Sequence, residues 1–302
     1  MHRPNISVII VSYNTAELTL KSVRSAYDSS GFKPGEIEVI VVDNASTDDT
    51  VKRLGSELDN FRLIINSPNV GFGSANNQGA SAARGKYLLF LNSDAFLEPG
   101  TLSSLVTTMD THKAVYSAAP QLRDVNGTIQ PSAGYFPTPS RLLGWMLGLD
   151  KLPLVKPLFF STPYHVFDLS WYTKAQSPDW LMGACIMFRK TEFWSVKGFD
   201  EQIFMYGEEV DLYLRLAQKL SKKVSFDPTV YATHLGRSSS TKAATNVLIE
   251  EIKGIEHIYA RHYPSYRSFA RLVIKLGVLL RIAIYSMIPS RAVSVLEYKK
   301  LL

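Results

Sequence analysis

Lys86-Tyr-Leu-Leu-Phe-Leu-Asn-Ser-Asp94 runs from five apolar residues, Tyr87 to Leu91, into three small polar ones. A short, unbroken apolar run is the mark of a strand buried on both faces, as in a parallel sheet covered by helices. Pro99 and Gly100 then open a helical pattern to about His112, with Pro99 suited to a first helical turn. The strand therefore delivers the Asp94 carboxylate to its C-terminal end, the edge where open α/β sheets bind ligands. The competing reading is a plain polar turn, because turns favour the same residue types.

The same pattern recurs outward from this stretch. Residues 6–11 form a β-branched apolar run ended by Ser12, Tyr13 and Asn14. Thr15 is placed to cap a helix to about Ser29, with Leu18, Val23 and Ala26 inward. Residues 38–42 are a second buried strand, ended by Asp43, Asn44, Ala45 and Ser46, and Thr47 or Asp48 can cap a helix to about Leu58. Residues 61–65 are a third strand. A Gly/Asn-rich loop from Asn69 through Gly71 enters a helix to Ala83 that carries Asn76. Strands alternating with helices at this spacing predict right-handed βαβ units and a mostly parallel sheet. Each polar signature then lies at a strand C-terminal end, so all converge on one crevice. The glycines at 71, 73 and 79 are not the dinucleotide fingerprint, which belongs in the first strand-to-helix turn, and no Walker sequence is present. Hydride transfer on NAD and P-loop hydrolysis are both disfavoured.

In the second half, residues 114–130 read as strands with Asn126-Gly127 as a hairpin turn. Residues 131–177 hold six prolines and no clean periodicity, apart from a short apolar helix at 144–149. A stretch of that kind predicts a mobile functional loop. Residues 180–188 read as one buried strand, with Cys185 a small core residue. Glu208 and Glu209 open a helix in which Asp211 and Arg215 are spaced to pair. Acidic residues are favoured at a helix N-terminus whatever their function. Residues 230–234 are a last strand carrying His234 toward Arg237.

At 302 residues and 46% hydrophobic, the chain has material for a large core. Its lone cysteine fits a reducing compartment, and residues 1–5 lack the charged-then-apolar order of a secretory signal. A cytoplasmic location is expected. Net charge is +6, yet residues 252–302 alone carry nine Lys/Arg against two Glu. A basic tail on a near-neutral body predicts an anionic surface as partner. Within residues 269–288, an apolar pattern is interrupted by Arg271, Lys275 and Arg281, which with Arg267 fall in an arc of about 120°. That argues for a helix lying in a membrane interface rather than spanning it, on the inner face of the cell membrane. Packing on the body or in a homodimer is the alternative. No groove-reading or aromatic-interleaved motif points to nucleic acid.

Residues 6–14, 41–50, 69–79 and 91–94 together resemble, in order, the successive motifs of family 2 glycosyltransferases, and the flavour is that of the bacterial rhamnosyltransferase-like branch. The resemblance spans roughly residues 6–240. It implies an α/β GT-A fold: a catalytic domain over 1–240, with a nucleotide-binding half (1–113) and an acceptor half (114–240); the basic amphipathic helical tail read from charge and periodicity, 241–302, lies beyond it. It implies an inverting, metal-dependent enzyme that takes a nucleotide-sugar donor and a lipid-linked glycan acceptor in cell-surface polysaccharide synthesis. The leading donor is dTDP-rhamnose, with UDP-galactofuranose, UDP-glucose and UDP-GlcNAc as alternatives. Ser12, Tyr13, Asn14, Asp43, Asn44, Gly71, Asn76, Asn92, Ser93 and Arg237 fall on donor-binding positions. Asp43 matches the position that accepts from a pyrimidine base; its other reading is a helix-capping Asx turn. Asp94 and His234 match ligands of Mg²⁺ or Mn²⁺, and residues 131–177 an acceptor-side loop. Glu209 matches the general base, with Glu208 supporting it and Asp211 in reserve. Asn92 and Glu209 stand where the family carries Asp, which leaves a catalytically weakened nucleotide-sugar-binding protein as the second reading.

Overall fold

The protein is described by a computed structural model covering residues 4–29, 31–33, 35–152, 154–155, 161–221, 223–236, 244–288 and 292–302. Its first half alternates β1 (Ile6–Ser12), α1 (Ala16–Asp28), β2 (Ile37–Asp43), α2 (Thr50–Glu57), β3 (Phe61–Ile65), α3 (Phe72–Ala82) and β4 (Tyr87–Asn92). Then follow β5 (Ala95–Leu97), α4 (Thr101–Thr111), β6 (Val115–Arg123), β7 (Ile129–Gln130), β8 (Ala133–Gly134) and α5 (Pro139–Leu147). The remainder is β9 (Trp180–Leu181), β10 (Cys185–Arg189), α6 (Lys190–Ser195), α7 (Glu208–Lys219), β11 (Lys223–His234), α8 (Ala244–His262), α9 (Arg267–Ser286) and α10 (Ala292–Lys299).

The main sheet has the order β3-β2-β1-β4-β10-β6-β11-β5, with β7 on β6. Strands β3, β2, β1 and β4 are parallel, and β11 is parallel to β6; β10 runs against both β4 and β6. Alternation along each strand feeds two apolar layers. Val8, Ile10, Val39, Val41, Leu89 and Leu91 join Leu20, Val23, Leu54 and Leu105 on one face. Ile9, Ile40, Leu88 and Phe90 join Leu142, Tyr213 and Ile255 on the other. Both faces are covered, which is why these strands read as unbroken apolar runs.

Several sequence readings are corrected. Leu20, not Leu18, is the fully buried leucine of α1. The α2 helix begins at Thr50, whose N–H and hydroxyl both bond the Asp48 carboxylate. Ala95–Leu97 is a short strand pairing with the end of β11. Residues 180–188 are not one strand: β9 pairs with β8 in a separate two-stranded sheet, and β10 enters the main sheet. The proline-rich stretch is not an open loop where it is described. Leu142, Trp145, Tyr164 and Tyr172 from it lie in the core, and its apolar helix starts earlier, at Pro139. Its aromatics supply burial without helical or strand periodicity, because each turn places one ring inward.

The tail helices are built into the same body. Ile252, Ile255, Ile258 and Tyr259 of α8 are at most 2% exposed and share the cluster of Phe90 and Tyr213. Burying the three isoleucines alone is worth about 5–9 kcal/mol at roughly 1.5–3 kcal/mol each. That is comparable with the whole stability of a domain, about 5–15 kcal/mol. A chain ending at residue 240 is therefore expected to lose its cooperative thermal transition and to bind a hydrophobic dye; retention of a sharp melt would show that the body folds without α8.

Candidate active site

The C-terminal ends of the parallel strands carry the candidate residues, as their polar endings predict. Asp43 closes β2. It is 1% exposed; its Oδ2 accepts from the Ser46 N–H at 3.0 Å, as an Asx turn would, and its Oδ1 has no partner. Asn92 closes β4, and its shielded Oδ1 is likewise unpartnered. Tyr13 projects from the end of β1, 42% exposed.

Other candidates build the walls. Asn44 spends its whole amide on the loop that follows β3. Its Oδ1 accepts from Asn66 and the Val70 N–H, and its Nδ2 donates to Asn69 and to the Gly71 carbonyl. Gly71 has φ +89°, and a Cβ there would lie 2.7 Å from the Phe204 carbonyl oxygen. Asn14 clamps the 46–48 turn, its Oδ1 accepting from the Thr47 N–H at 2.7 Å. Ser12 pairs with Thr19 at 2.8 Å, and Ser93 is held by the Thr15 hydroxyl at 3.1 Å. Asn76 is 1% exposed and bonds its own helix at Phe72. Arg237 lies outside the described residues.

The opposite wall is hung on the break between β9 and β10. The Met182 N–H donates to the Ser132 carbonyl at 2.9 Å. The Gly183 N–H donates to the Glu209 carboxylate, and the Ala184 carbonyl accepts from the Asn92 N–H at 2.9 Å. One turn thus sets the Asn92-Ser93-Asp94 ending beside the start of α7. There Glu208 and Glu209 each keep an Oε2 shielded and without a partner. Burial, then repulsion from Glu209, pushes the Glu208 carboxyl well above the usual carboxylate range. Burial also raises Glu209, with hydrogen bonds from its own N–H, Gly183 and Gly207 pulling the other way.

Asp211, the reserve base of the sequence reading, pairs with Arg215 as its helical spacing predicts. It is fully buried and bonded by Arg215 and His262, each at 2.7 Å, and these partners hold its carboxyl below the usual range despite burial. It fixes α7 to α8. Sequence reading missed Asn77, one residue from the chosen Asn76. Its Oδ1 accepts from the Phe199 N–H and its Nδ2 donates to the Phe199 carbonyl and Glu201, tying α3 to the segment before α7.

Asp94 and His234 meet where β5 pairs with the end of β11. Nε2 of the imidazole is 3.5 Å from Asp94 Oδ1, both side chains 11% exposed. The other ring nitrogen, Nδ1, lies 2.9 Å from Gln130 Oε1. A carboxylate and an imidazole nitrogen facing one another suit a borderline or hard divalent cation, and the shielded Asn92 Oδ1 adds a third acceptor on the same strand ending. These donors suit Mg²⁺ or Mn²⁺ as part of a shell that a ligand's oxygens would complete, since among the described residues no group of three or more His, Cys, Asp and Glu could hold a metal ion by itself.

A sequence model of glycosyl transferase family 2 matches residues 7–174. The N-acetylglucosaminyl-diphospho-decaprenol L-rhamnosyltransferase of Mycobacterium tuberculosis is 26% identical over 258 residues, covering 81% of this chain and 82% of that protein. Rhamnosyltransferase WbbL of Escherichia coli is 29% identical over 57% of this chain and 65% of its own length. Among solved structures, the mannosyltransferase PcManGT from Pyrobaculum calidifontis, in complex with GDP-Man and Mn²⁺, superposes with a TM-score of 0.58 at 14% identity, covering 100% of this chain and 86% of that one. GalNAc-T7 with UDP, GalNAc and Mn²⁺ gives 0.61 at 17% identity; this chain spans 49% of it. These likenesses show the GT-A fold.

The glutamate pair yields a pH test. The folded chain holds the Glu208 proton to higher pH than the unfolded chain does, so stability is lost as pH rises through that interval. Glu208→Gln removes the loss. Its melting temperature is expected to exceed wild type by at least about 2 °C at pH 8, the scale of a 1 kcal/mol change. The gap should close toward pH 4; a gap independent of pH would show that the Glu208 charge costs nothing.

Proposed function

The chain belongs to glycosyl transferase family 2, in its rhamnosyltransferase-like branch, and from that premise we propose that it transfers a hexose from a nucleotide-sugar donor to a hydroxyl of a lipid-linked glycan, with inversion. The carrying observation is the set of shielded, unpartnered oxygens along one crevice: Asp43 Oδ1, Asn92 Oδ1, Glu208 Oε2 and Glu209 Oε2. Folded proteins rarely leave such atoms unmet, since each costs about 1–3 kcal/mol. The names of the relatives favour rhamnose as the sugar and a diphospho-lipid glycan as the acceptor.

In this reading Asp43, an acceptor-only group, takes the imide N–H of the donor's pyrimidine. The acceptor hydroxyl attacks the anomeric carbon from the face opposite the diphosphate. Its oxygen forms the new glycosidic bond as the bond to the diphosphate oxygen breaks, and Glu209 takes the proton. A carboxyl raised by burial is the stronger base for that step, and positioned bases are worth about 10²–10⁴-fold in rate. Asp94 and His234 would hold Mg²⁺ or Mn²⁺, which when bound would supply positive charge to offset that of the departing diphosphate. Glu209→Gln keeps the size and removes the basicity. Turnover with dTDP-rhamnose and a diphospholipid-linked N-acetylglucosamine should fall about 10²–10⁴-fold, while calorimetric affinity for the nucleotide stays near wild type. A fully active Glu209→Gln would move the base elsewhere.

A lipid-linked acceptor would be met at a membrane, and the make-up of α9 supports such a contact. No described helix is long and apolar enough to cross a bilayer. One side of α9 packs inward through Ala270, Val273, Ile274 and Val278. Arg281, expected on the basic arc, instead donates to the Met146 carbonyl of α5 at 2.6 Å. The outer side exposes Phe269, Leu272, Leu276, Leu279 and Leu280, 39–56% each, and Arg267, Arg271 and Lys275 are exposed along the same helix. An interfacial helix has that make-up. Three basic side chains contribute roughly 1 kcal/mol each at an anionic surface. The full-length protein should float with phosphatidylglycerol vesicles, less with phosphatidylcholine and less in high salt; Leu272→Glu with Leu276→Glu should abolish flotation. Unchanged flotation, or a dimer dispersed by those substitutions, would reassign the face.

A further inference from the structure

Gln130 touches none of the candidate reacting groups, yet its side-chain amide makes two bonds to a single residue. Nε2 donates to the His234 backbone carbonyl at 2.7 Å, and Oε1 faces His234 Nδ1 at 2.9 Å. The first bond fixes the amide's orientation, because a flipped amide would set two oxygens against each other. With the orientation fixed, Oε1 can only accept, so the proton of a neutral His234 ring sits on Nδ1. The lone pair is then on Nε2, the nitrogen 3.5 Å from Asp94 Oδ1. A bare lone pair opposite a carboxylate oxygen is repulsive unless a proton on Nε2 or a cation lies between them.

We infer that Gln130 is a positioning residue that holds His234 in the Nδ1–H tautomer and so presents Nε2, together with Asp94, to a divalent cation. The inference rests on the metal reading given above. Its backbone makes the role specific. Gln130 ends a two-residue strand paired with Leu122 at the edge of β6, and β6 pairs with β11 through Leu122 and Ala232. The amide and the imidazole are therefore carried on two strands that both pair with β6 at Leu122, so that one strand sets their separation. Partners of this kind commonly control metal affinity by 10–100-fold. Gln130 is also uncharged. It orients the ring without adding to the negative charge of Asp94, so the site's charge is set by its ligands alone.

The test uses Mn²⁺ alone, titrated into the full-length protein and read by electron paramagnetic resonance, together with ¹⁵N NMR of the histidine rings. Wild type should show the His234 ring protonated at Nδ1. Gln130→Met keeps length but loses both bonds, and should weaken Mn²⁺ about 10–100-fold. Gln130→Glu still accepts from Nδ1–H, although it loses the bond to the His234 carbonyl, and should bind Mn²⁺ more tightly than Gln130→Met does. A merely structural Gln130 would lower the melting temperature in both variants and leave Mn²⁺ affinity alone; that result overturns the inference. So would an Nε2–H ring in wild type, which also decides the matter if Gln130→Met does not fold. His234→Ala separates the two levels. If it binds Mn²⁺ as wild type does, the metal reading itself fails; if it loses Mn²⁺ while Gln130→Met does not, only the role of Gln130 falls.

Discussion

Three consecutive residues between β9 and β10 carry the constraint on which the crevice depends. Met182 bonds the Ser132 carbonyl beside β8 and Ala184 the end of β4 at Asn92, and the Gly183 backbone between them favours the charged form of Glu209. The Met182 and Ala184 bonds join backbone to backbone, so these two links do not rely on flexible side chains. The chain must leave one sheet and enter another at this point, and the exposed backbone donors and acceptor of that break must be satisfied. Satisfying them draws three walls together. A continuous strand through 180–188 would have paired those groups sideways and left Glu209 with fewer donors.

The C-terminal helices add a second constraint from behind. Gly254 of α8 lies against the backbone at Tyr206 and Gly207, close enough that a Cβ on Gly254 would sit 2.3 Å from the Tyr206 carbonyl oxygen. Tyr206 itself has φ +65°, a conformation that costs energy for a bulky residue and persists when its surroundings over-determine it. Asp200 accepts from His257 and Arg261, and Asp211 from His262, so α8 grips both ends of the segment that leads to Glu208. The helix after residue 240 thereby sets the approach of the glutamate pair, although nothing in its sequence carries a catalytic group. That makes the division at 240 a change in composition more than a break in packing.

Much of this was legible beforehand, and the reasons are physical. Buried parallel strands leave unbroken apolar runs, and their C-terminal ends must change abruptly to polar residues; hence 6–14, 38–46 and 87–94 could be placed from the sequence. The pairing of Asp211 with Arg215 follows from helical spacing. What stayed hidden depends on contacts distant in sequence. Gln130 and His234 are 104 positions apart and Asn77 and Phe199 are 122 apart, and no local pattern marks either. The proline-rich stretch was misread because its core rings follow no period. Arg281 was misplaced because a helical wheel gives its angle but not the Met146 carbonyl that turns it inward.

The charge balance of the crevice ties these features together. Asp43, Asp94, Glu208 and Glu209 all lie along it, and three of the four are under 10% exposed. Two adjacent glutamates in a poorly hydrated site cannot both ionise freely without opposing charge. The protein meets this unevenly. Glu208 and Glu209 repel one another and hold protons more tightly, which suits one of them to base chemistry near neutral pH. Asp94 faces an imidazole held by a neutral amide instead of by another acid. Had the position of Gln130 carried a carboxylate, a cation between Asp94 and His234 would have met a more negative shell and been held more firmly, at some cost to releasing it with the product. On the proposed reading, a neutral partner leaves the donor's diphosphate to supply the remaining negative charge. The cation would then bind best when the donor is present, which couples its binding to the arrival of the substrate it serves.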